Sequence, residues 1–237
     1  MSRAKGSIIA IALGAACLTL TPQIVEAGVV VSSSGPSAGS YPVGKEIGDN
    51  ERITLRDGDT LTVLNNGGTR VFRGSGTYML SQTSSSSRNR AFTSLTSQRS
   101  ASRARTGAVR GVNGVEVSNP NLWYVDVAAA GTICITDPEN VRLWRGDTQA
   151  ESTYRISSGD AETSVTFPAG EMLAAWDIYN PPEAGKTYNI GLGSNAVALT
   201  FVVLEETPED AEGMANTLIA NGCMVQLEQM SNAMMGG

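Results

Sequence analysis

Histidine is absent from all 237 residues. That one absence excludes Ser-His-Asp and Cys-His nucleophile machinery, histidine metal clusters, a histidine-ligated haem and any imidazole proton shuttle. Lysine is nearly as scarce, with only Lys5, Lys45 and Lys186. Side-chain catalysis would therefore fall to carboxylates, lysine or tyrosine. Three cysteines, Cys17, Cys134 and Cys223, are too few for a cysteine-only zinc centre. No catalytic set, cofactor site or metal site is predicted. Long apolar runs are missing as well, except for Ser7 to Leu20, which is too short to span a bilayer.

That short run has the layout of a secretory leader over residues 1–27. Arg3 and Lys5 precede the apolar core, and Val25-Glu26-Ala27 is a small-residue cleavage site before Gly28. The expected address is the periplasm or the exterior, with no transmembrane span in the mature chain. An alternative is a lipoprotein anchored at Cys17, although Gly14 occupies the position where the acylation motif wants an aliphatic residue. The processed chain keeps Cys134 and Cys223. In an oxidising compartment that pair is expected as one structural disulfide, stabilising by roughly 3 to 5 kcal/mol through the unfolded state. The alternative is two buried free thiols.

Residues 28–80 read as a small β module. Val29 to Val31 can form a first strand before the Ser/Gly/Pro connector that ends at Ser40. Ile53 and Leu55, then Leu61 and Val63, alternate with Arg52, Thr54, Arg56, Thr60 and Thr62, the period of strands with one buried face. Asp57-Gly58-Asp59, Asn65-Asn66-Gly67-Gly68 and Gly74-Ser75-Gly76 are turns. The first turn, Asp57 to Asp59, is expected as a three-residue hairpin loop rather than a two-residue type I′ turn, pairing Leu55 with Leu61 and Ile53 with Val63 on one face. For the second turn, Leu61 opposite Phe72 and Val63 opposite Val71 demand loops of different parity, and both registers stay open.

The run YPVGKEIGDNERITLRDGDTLTVLNNGGTRVFRGSGTY, from Tyr41, resembles the periplasmic FecR-like domain, whose turn glycines and alternating aliphatics build a β-rich module. The resemblance spans about residues 41–80. It implies a sensing or interaction unit of the bacterial envelope rather than an enzyme. The transmembrane anchor and cytoplasmic helices of the regulators that name the family have no counterpart here, so sigma-factor signalling does not carry over.

Residues 81–114 form a Ser/Arg-rich linker in which Phe92 and Leu95 mark a short helix, with Ser81–Ser87 and Ser100–Gly107 as its flanks. Charge is partitioned here. Residues 60–115 hold eight arginines and no acid, whereas residues 116–237 hold seventeen acids against four bases. The candidate contacts for a polyanion are Arg88, Arg90, Arg99, Arg103, Arg105 and Arg110, facing an envelope protein, an anionic polysaccharide or a lipid head group. The competing reading docks this stretch on the chain's own acidic half or leaves it solvated. Nucleic acid is not expected, because an acidic chain with few aromatics near its arginines lacks that footprint.

Residues 115–206 contain seven strand-like runs, LWYVDVA, GTICIT, VRLWRG, TYRISS, TSVTFPAG, KTYNIGL and ALTFVVLEE, separated by Gly and Pro signals. The expected fold is mainly β: the small module, then a β-sandwich-like body, then a C-terminal helical segment over residues 207–237. Trp123, Trp144 and Trp176 are assigned to core packing, with sugar stacking as the alternative. Thr207 is the expected N-cap and Pro208 the first helical residue, with Asn221-Gly222 as the stop. A second helix near Met224–Ala233 should turn Val225, Leu227 and Met230 inward. The favoured function is a non-enzymatic binding module. The alternative is a carboxylate-dependent glycan hydrolase using Asp126, for which the sequence locates no second acid.

Overall fold

The computed structural model describes residues 27–80, 86–97, 117–177 and 180–235. Residues 1–26, which carry all but the last residue of the expected leader and include Cys17, and Arg99, Arg103, Arg105 and Arg110 lie outside the described residues. The chain is mainly β with a helical C-terminal segment.

The first body is a four-stranded antiparallel sheet facing a two-stranded one. Ala27–Ser34 (β1) lies between Glu46–Gly48 (β2) and Thr60–Asn65 (β4), and Gly68–Arg73 (β5) follows β4. Arg52–Leu55 (β3) pairs with Gly76–Met79 (β6). This overturns the hairpin expected at Asp57–Asp59. Ile53 lies opposite Tyr78 and Leu55 opposite Gly76, while Leu61 and Val63 belong to the other sheet. The two aliphatic pairs meet across one core instead of side by side. Asp57-Gly58-Asp59 is thus a crossover between sheets. Gly58 takes a left-handed φ of 80°, and the buried Asp59 carboxylate accepts from the Ser37 and Arg56 amides. The second turn is the two-residue loop Asn66-Gly67, with Leu61 opposite Phe72 and Val63 opposite Arg70.

The Val29–Val31 part of β1 and the Leu61–Leu64 part of β4 are buried on both faces, which is why Val29-Val30-Val31 is continuous and not alternating. Val30 packs inside the module with Leu61 and Val63, whereas Val29, Val31 and Leu64 face the C-terminal helices. Each such fully buried aliphatic side chain stabilises the fold by roughly 1.5 to 3 kcal/mol.

The second body is a sandwich of unequal sheets. The large sheet has the order β11-β10-β13-β14-β8, formed by Ala161–Phe167, Ser152–Ser158, Thr187–Leu192, Asn195–Val203 and Gly131–Ile135. The small sheet has the order β12-β9-β7, formed by Leu173–Ala175, Arg142–Trp144 and Tyr124–Asp126. All seven runs read from the sequence contain a strand; β12 is an addition. Two pairings, β14 with β8 and β7 with β9, are parallel. Trp144 and Trp176 are buried and Trp123 is partly buried. Arg145 is also buried: its guanidinium donates to the Glu171, Ala150 and Pro168 carbonyls at 3.0, 2.9 and 2.8 Å and lies over the Phe167 ring. Carbonyl oxygens replace the water that a buried guanidinium would otherwise lose.

Helices join the two bodies. Ser86–Thr96 (α1) starts one residue pair earlier than the predicted flank allowed, and buries Phe92 and Leu95 as expected. Its last carbonyls, Leu95, Thr96 and Ser97, accept from Leu122 N, Trp123 Nε1 and Asn121 Nδ2. Ala211–Ala220 (α2) begins later than expected: Asp210, not Thr207, is the N-cap, accepting from Gly213 N at 2.9 Å. Asn221 and Gly222 end it as read, with Gly222 at φ 72°. In Met224–Met235 (α3), Leu227 and Met230 are inward, but Val225 is 36% exposed and Gln226 takes the buried place.

Candidate functional site

Two places in the fold concentrate polar groups, and they serve different ends. The first is the joint. β8 is an edge strand of the large sheet, and α3 lies against its open side. At one residue, Cys134, the edge is closed twice. Cys223, which directly precedes α3, forms a disulfide with Cys134, with Cα atoms 5.8 Å apart. One turn on, the Gln226 carboxamide acts as a substitute peptide: Oε1 accepts from Cys134 N at 2.7 Å, and Nε2 donates to the carbonyls of Cys134 and Leu122 at 2.7 and 2.8 Å. An otherwise unpaired strand edge is thereby hydrogen-bonded by a helix side chain. Sequence reading missed Gln226. The signal was its place on the Cys223, Leu227, Met230 and Met234 stripe, where a polar residue at helical spacing needs partners.

The second place is a concavity of about 440 Å³ at the mouth of the sandwich. The small sheet has three strands against five. The concavity lies between the β10–β11 hairpin and the residues Trp176, Asn180, Pro181, Glu183 and Lys186. Its floor is fixed. Trp176 meets Tyr188 edge-on at 5.2 Å and Phe201 at 5.5 Å, and its Nε1 donates to Asn180 O at 2.9 Å. The Tyr188 hydroxyl accepts from Glu183 N at 2.9 Å. At the rim, Lys186 Nζ lies 2.7 Å from Glu183 Oε1, and Glu162 Oε1 lies 3.2 Å from Arg155 Nε. The hydrogen bond to Glu183 holds the Lys186 amine above its ordinary range against some desolvation.

Asp126 does not belong to this concavity. Its carboxylate accepts from Ala128 N at 2.9 Å, and burial pushes its pKa up while that hydrogen bond opposes the rise. The two acids that the concavity does bring together, Glu162 and Glu183, were not singled out in the sequence because they lie in different strands and loops. Among the described residues there is no group of three Cys, Asp or Glu placed to hold a metal ion.

The predicted arginines fall as follows. Arg88 and Arg90 are in α1, and Arg90 is exposed. Arg70 and Arg73, which carry the same basic block, are in β5. α1 and β5 both pack on α3, so the elements bearing these four arginines flank one helix. No family model matches the chain, and neither a curated protein nor a solved structure matches it.

Proposed function

We propose that the chain is an exported, non-enzymatic interaction module of the bacterial envelope, with a FecR-like unit over residues 28–80 and a basic stretch that contacts a polyanionic envelope component. The observation that carries this reading is the Cys134–Cys223 bridge, which belongs to oxidising compartments outside the cytosol. Gln226 hydrogen-bonds the backbone of the same strand residue, which supports a structural role for the bridge. The polyanion contact draws support from α1 and β5, which bring Arg88, Arg90, Arg70 and Arg73 to elements around α3.

The test uses the full chain and a variant with Arg88, Arg90, Arg99, Arg103, Arg105 and Arg110 changed to Ser. Both are applied to lipopolysaccharide-containing vesicles and to zwitterionic vesicles, at low and high salt. Retention on the anionic vesicles alone, lost in the variant and at high salt, is expected. Retention indifferent to both changes contradicts the polyanion contact. One observation favours a second reading as a glycan hydrolase, namely that Glu162 and Glu183 line one concavity. Turnover of a glycan that disappears in both Glu162→Gln and Glu183→Gln would establish it.

A further inference from the structure

We infer that β11 pairs edge to edge with the β11 of a second copy of this chain, antiparallel about a two-fold axis at Ser164. The inference goes beyond the polyanion reading and uses none of that stretch's arginines. The large sheet ends in β8 on one side and in β11 on the other. The β8 edge is closed by Cys223 and Gln226, whereas no strand lies beyond β11 among the described residues. Hairpin parity identifies the groups left open. Gly159 and Asp160 form a two-residue turn, with Gly159 at φ 59° and Ser158 opposite Ala161. The pair flanking such a turn is hydrogen-bonded, so Ala161, Thr163, Val165 and Phe167 direct their backbone groups toward β10. The Thr153 and Thr166 hydroxyls, 2.9 Å apart, mark the alternate pairs, in which side chains approach more closely. Glu162, Ser164 and Thr166 therefore direct their N–H and C=O groups away from the sheet. All three residues are exposed, and among the described residues nothing bonds those backbone groups.

Outward N–H and C=O groups at strand spacing are satisfied by another extended strand. β11, with seven residues, is the longest edge strand among the described residues, and it has no proline, no lysine and no bulge to blunt it. Its own sequence supplies a matching partner. With Ser164 opposite Ser164 of the second copy, Glu162 falls opposite Thr166 and Thr163 opposite Val165, so outward groups meet outward groups. Each side chain also keeps its face: Thr163 meets Val165 on the inner face, and the exposed polar residues meet on the outer one. Charge selects this register. The two Glu162 carboxylates stand four residues apart along the strands, roughly 13 Å at ~3.3 Å per residue, which exceeds a Debye length of about 8 Å. Each is also paired with Arg155 of its own sheet at 3.2 Å. A register centred on Thr163 would halve that spacing, and one centred on Val165 would set Glu162 opposite Pro168, which has no N–H to give.

The experiment is sedimentation equilibrium on the full, disulfide-intact chain. An edge contact lies at the low end of interface size, so a reversible monomer–dimer equilibrium is expected within about 1 to 300 μM. Ser164→Pro removes an outward N–H that β10 does not use, and Ser164→Lys sets like charges opposite each other at the two-fold axis. Each variant, shown to be folded by circular dichroism, should weaken dimerisation about tenfold or more. If Ser164→Pro does not fold, Ser164→Lys decides. Asn189→Lys, on the same outer face but in β13, should leave the dimer intact. A chain that stays monomeric throughout overturns the inference and leaves the edge to a strand of another protein. A dimer that survives the Ser164 variants overturns it as well, as does one that Asn189→Lys abolishes, since that result means stacking of sheet faces. None of these outcomes touches the vesicle experiment, so the two proposals fail separately.

Discussion

Changing Gln226 to Leu should loosen the joint between the two β bodies more than any other single substitution of an uncharged polar residue in α3. The side chain is 2% exposed and makes three hydrogen bonds to backbone groups of β8 and of the segment before β7. Leucine has nearly the same size, so the cavity term is small. What changes is that one N–H and two carbonyls stay buried with no partner. Each of the three orphan groups costs about 1 to 3 kcal/mol, and the extra apolar burial of leucine returns about 1 to 2 kcal/mol, leaving a net loss of about 1 to 8 kcal/mol, centred near 4. For a chain of this length that corresponds to a fall in melting temperature of about 10 °C. The assay is guanidinium unfolding at neutral pH with the disulfide intact, read by far-ultraviolet circular dichroism. Gln226→Glu adds a pH signature. An introduced carboxyl can donate toward the Leu122 or Cys134 carbonyl only when protonated, so its folded pKa lies above the unfolded value of about 4.3. The variant should therefore be closest to the parent below about pH 4 and lose stability as pH rises through the folded pKa. A loss below about 1 kcal/mol for Gln226→Leu at pH 7, or a pH-independent deficit for Gln226→Glu, would refute the reasoning.

Three further outcomes are expected. Asp59 is desolvated, yet hydrogen bonds from Ser37 and the Arg56 amide, with the Arg56 charge, outweigh this and hold its pKa below the ordinary carboxylate value. Its contribution is complete above about pH 4 and lost as pH falls through the depressed value; Asp59→Asn should flatten the acid limb of a melting-temperature profile between about pH 2 and 5. Arg145→Lys should cost about 3 kcal/mol, because an ammonium cannot reach the carbonyls of Glu171, Ala150 and Pro168 together, and urea unfolding checks it. Reduction, or Cys134→Ser with Cys223→Ser, should cost about 4 kcal/mol for a bridge closing 89 residues, seen as a lowered melting temperature.

What the sequence made legible follows from which forces are local. Strand runs, the Phe92 and Leu95 face of α1, the Asn221-Gly222 stop and the pairing of Cys134 with Cys223 all depend on near neighbours, on hydrophobic period or on elimination. Pairing partners do not. Ile53 and Leu55 alternate as they would in a hairpin with Leu61 and Val63, and the period of two is equally satisfied when the pairs face one another across a core. Thr207 and Pro208 are a sound local start, but Asp210 competes three residues after Thr207, and its carboxylate captures Gly213 N. Gln226 and Arg145 are polar residues whose burial is set by elements nearly a hundred residues away in one case and by two loops in the other. The concavity was hidden for a similar reason: Glu162, Glu183 and Trp176 converge only after the hairpin and the segment beyond β12 are brought together.

Intact-mass analysis of the protein recovered from its natural host, fractionated into envelope and cytosol, tests the central claim most directly. A chain in the envelope fraction that begins at Gly28 and takes up no thiol reagent until Cys134 and Cys223 are reduced is the predicted result. A cytosolic chain that retains Met1 and alkylates at both cysteines without reduction would contradict it.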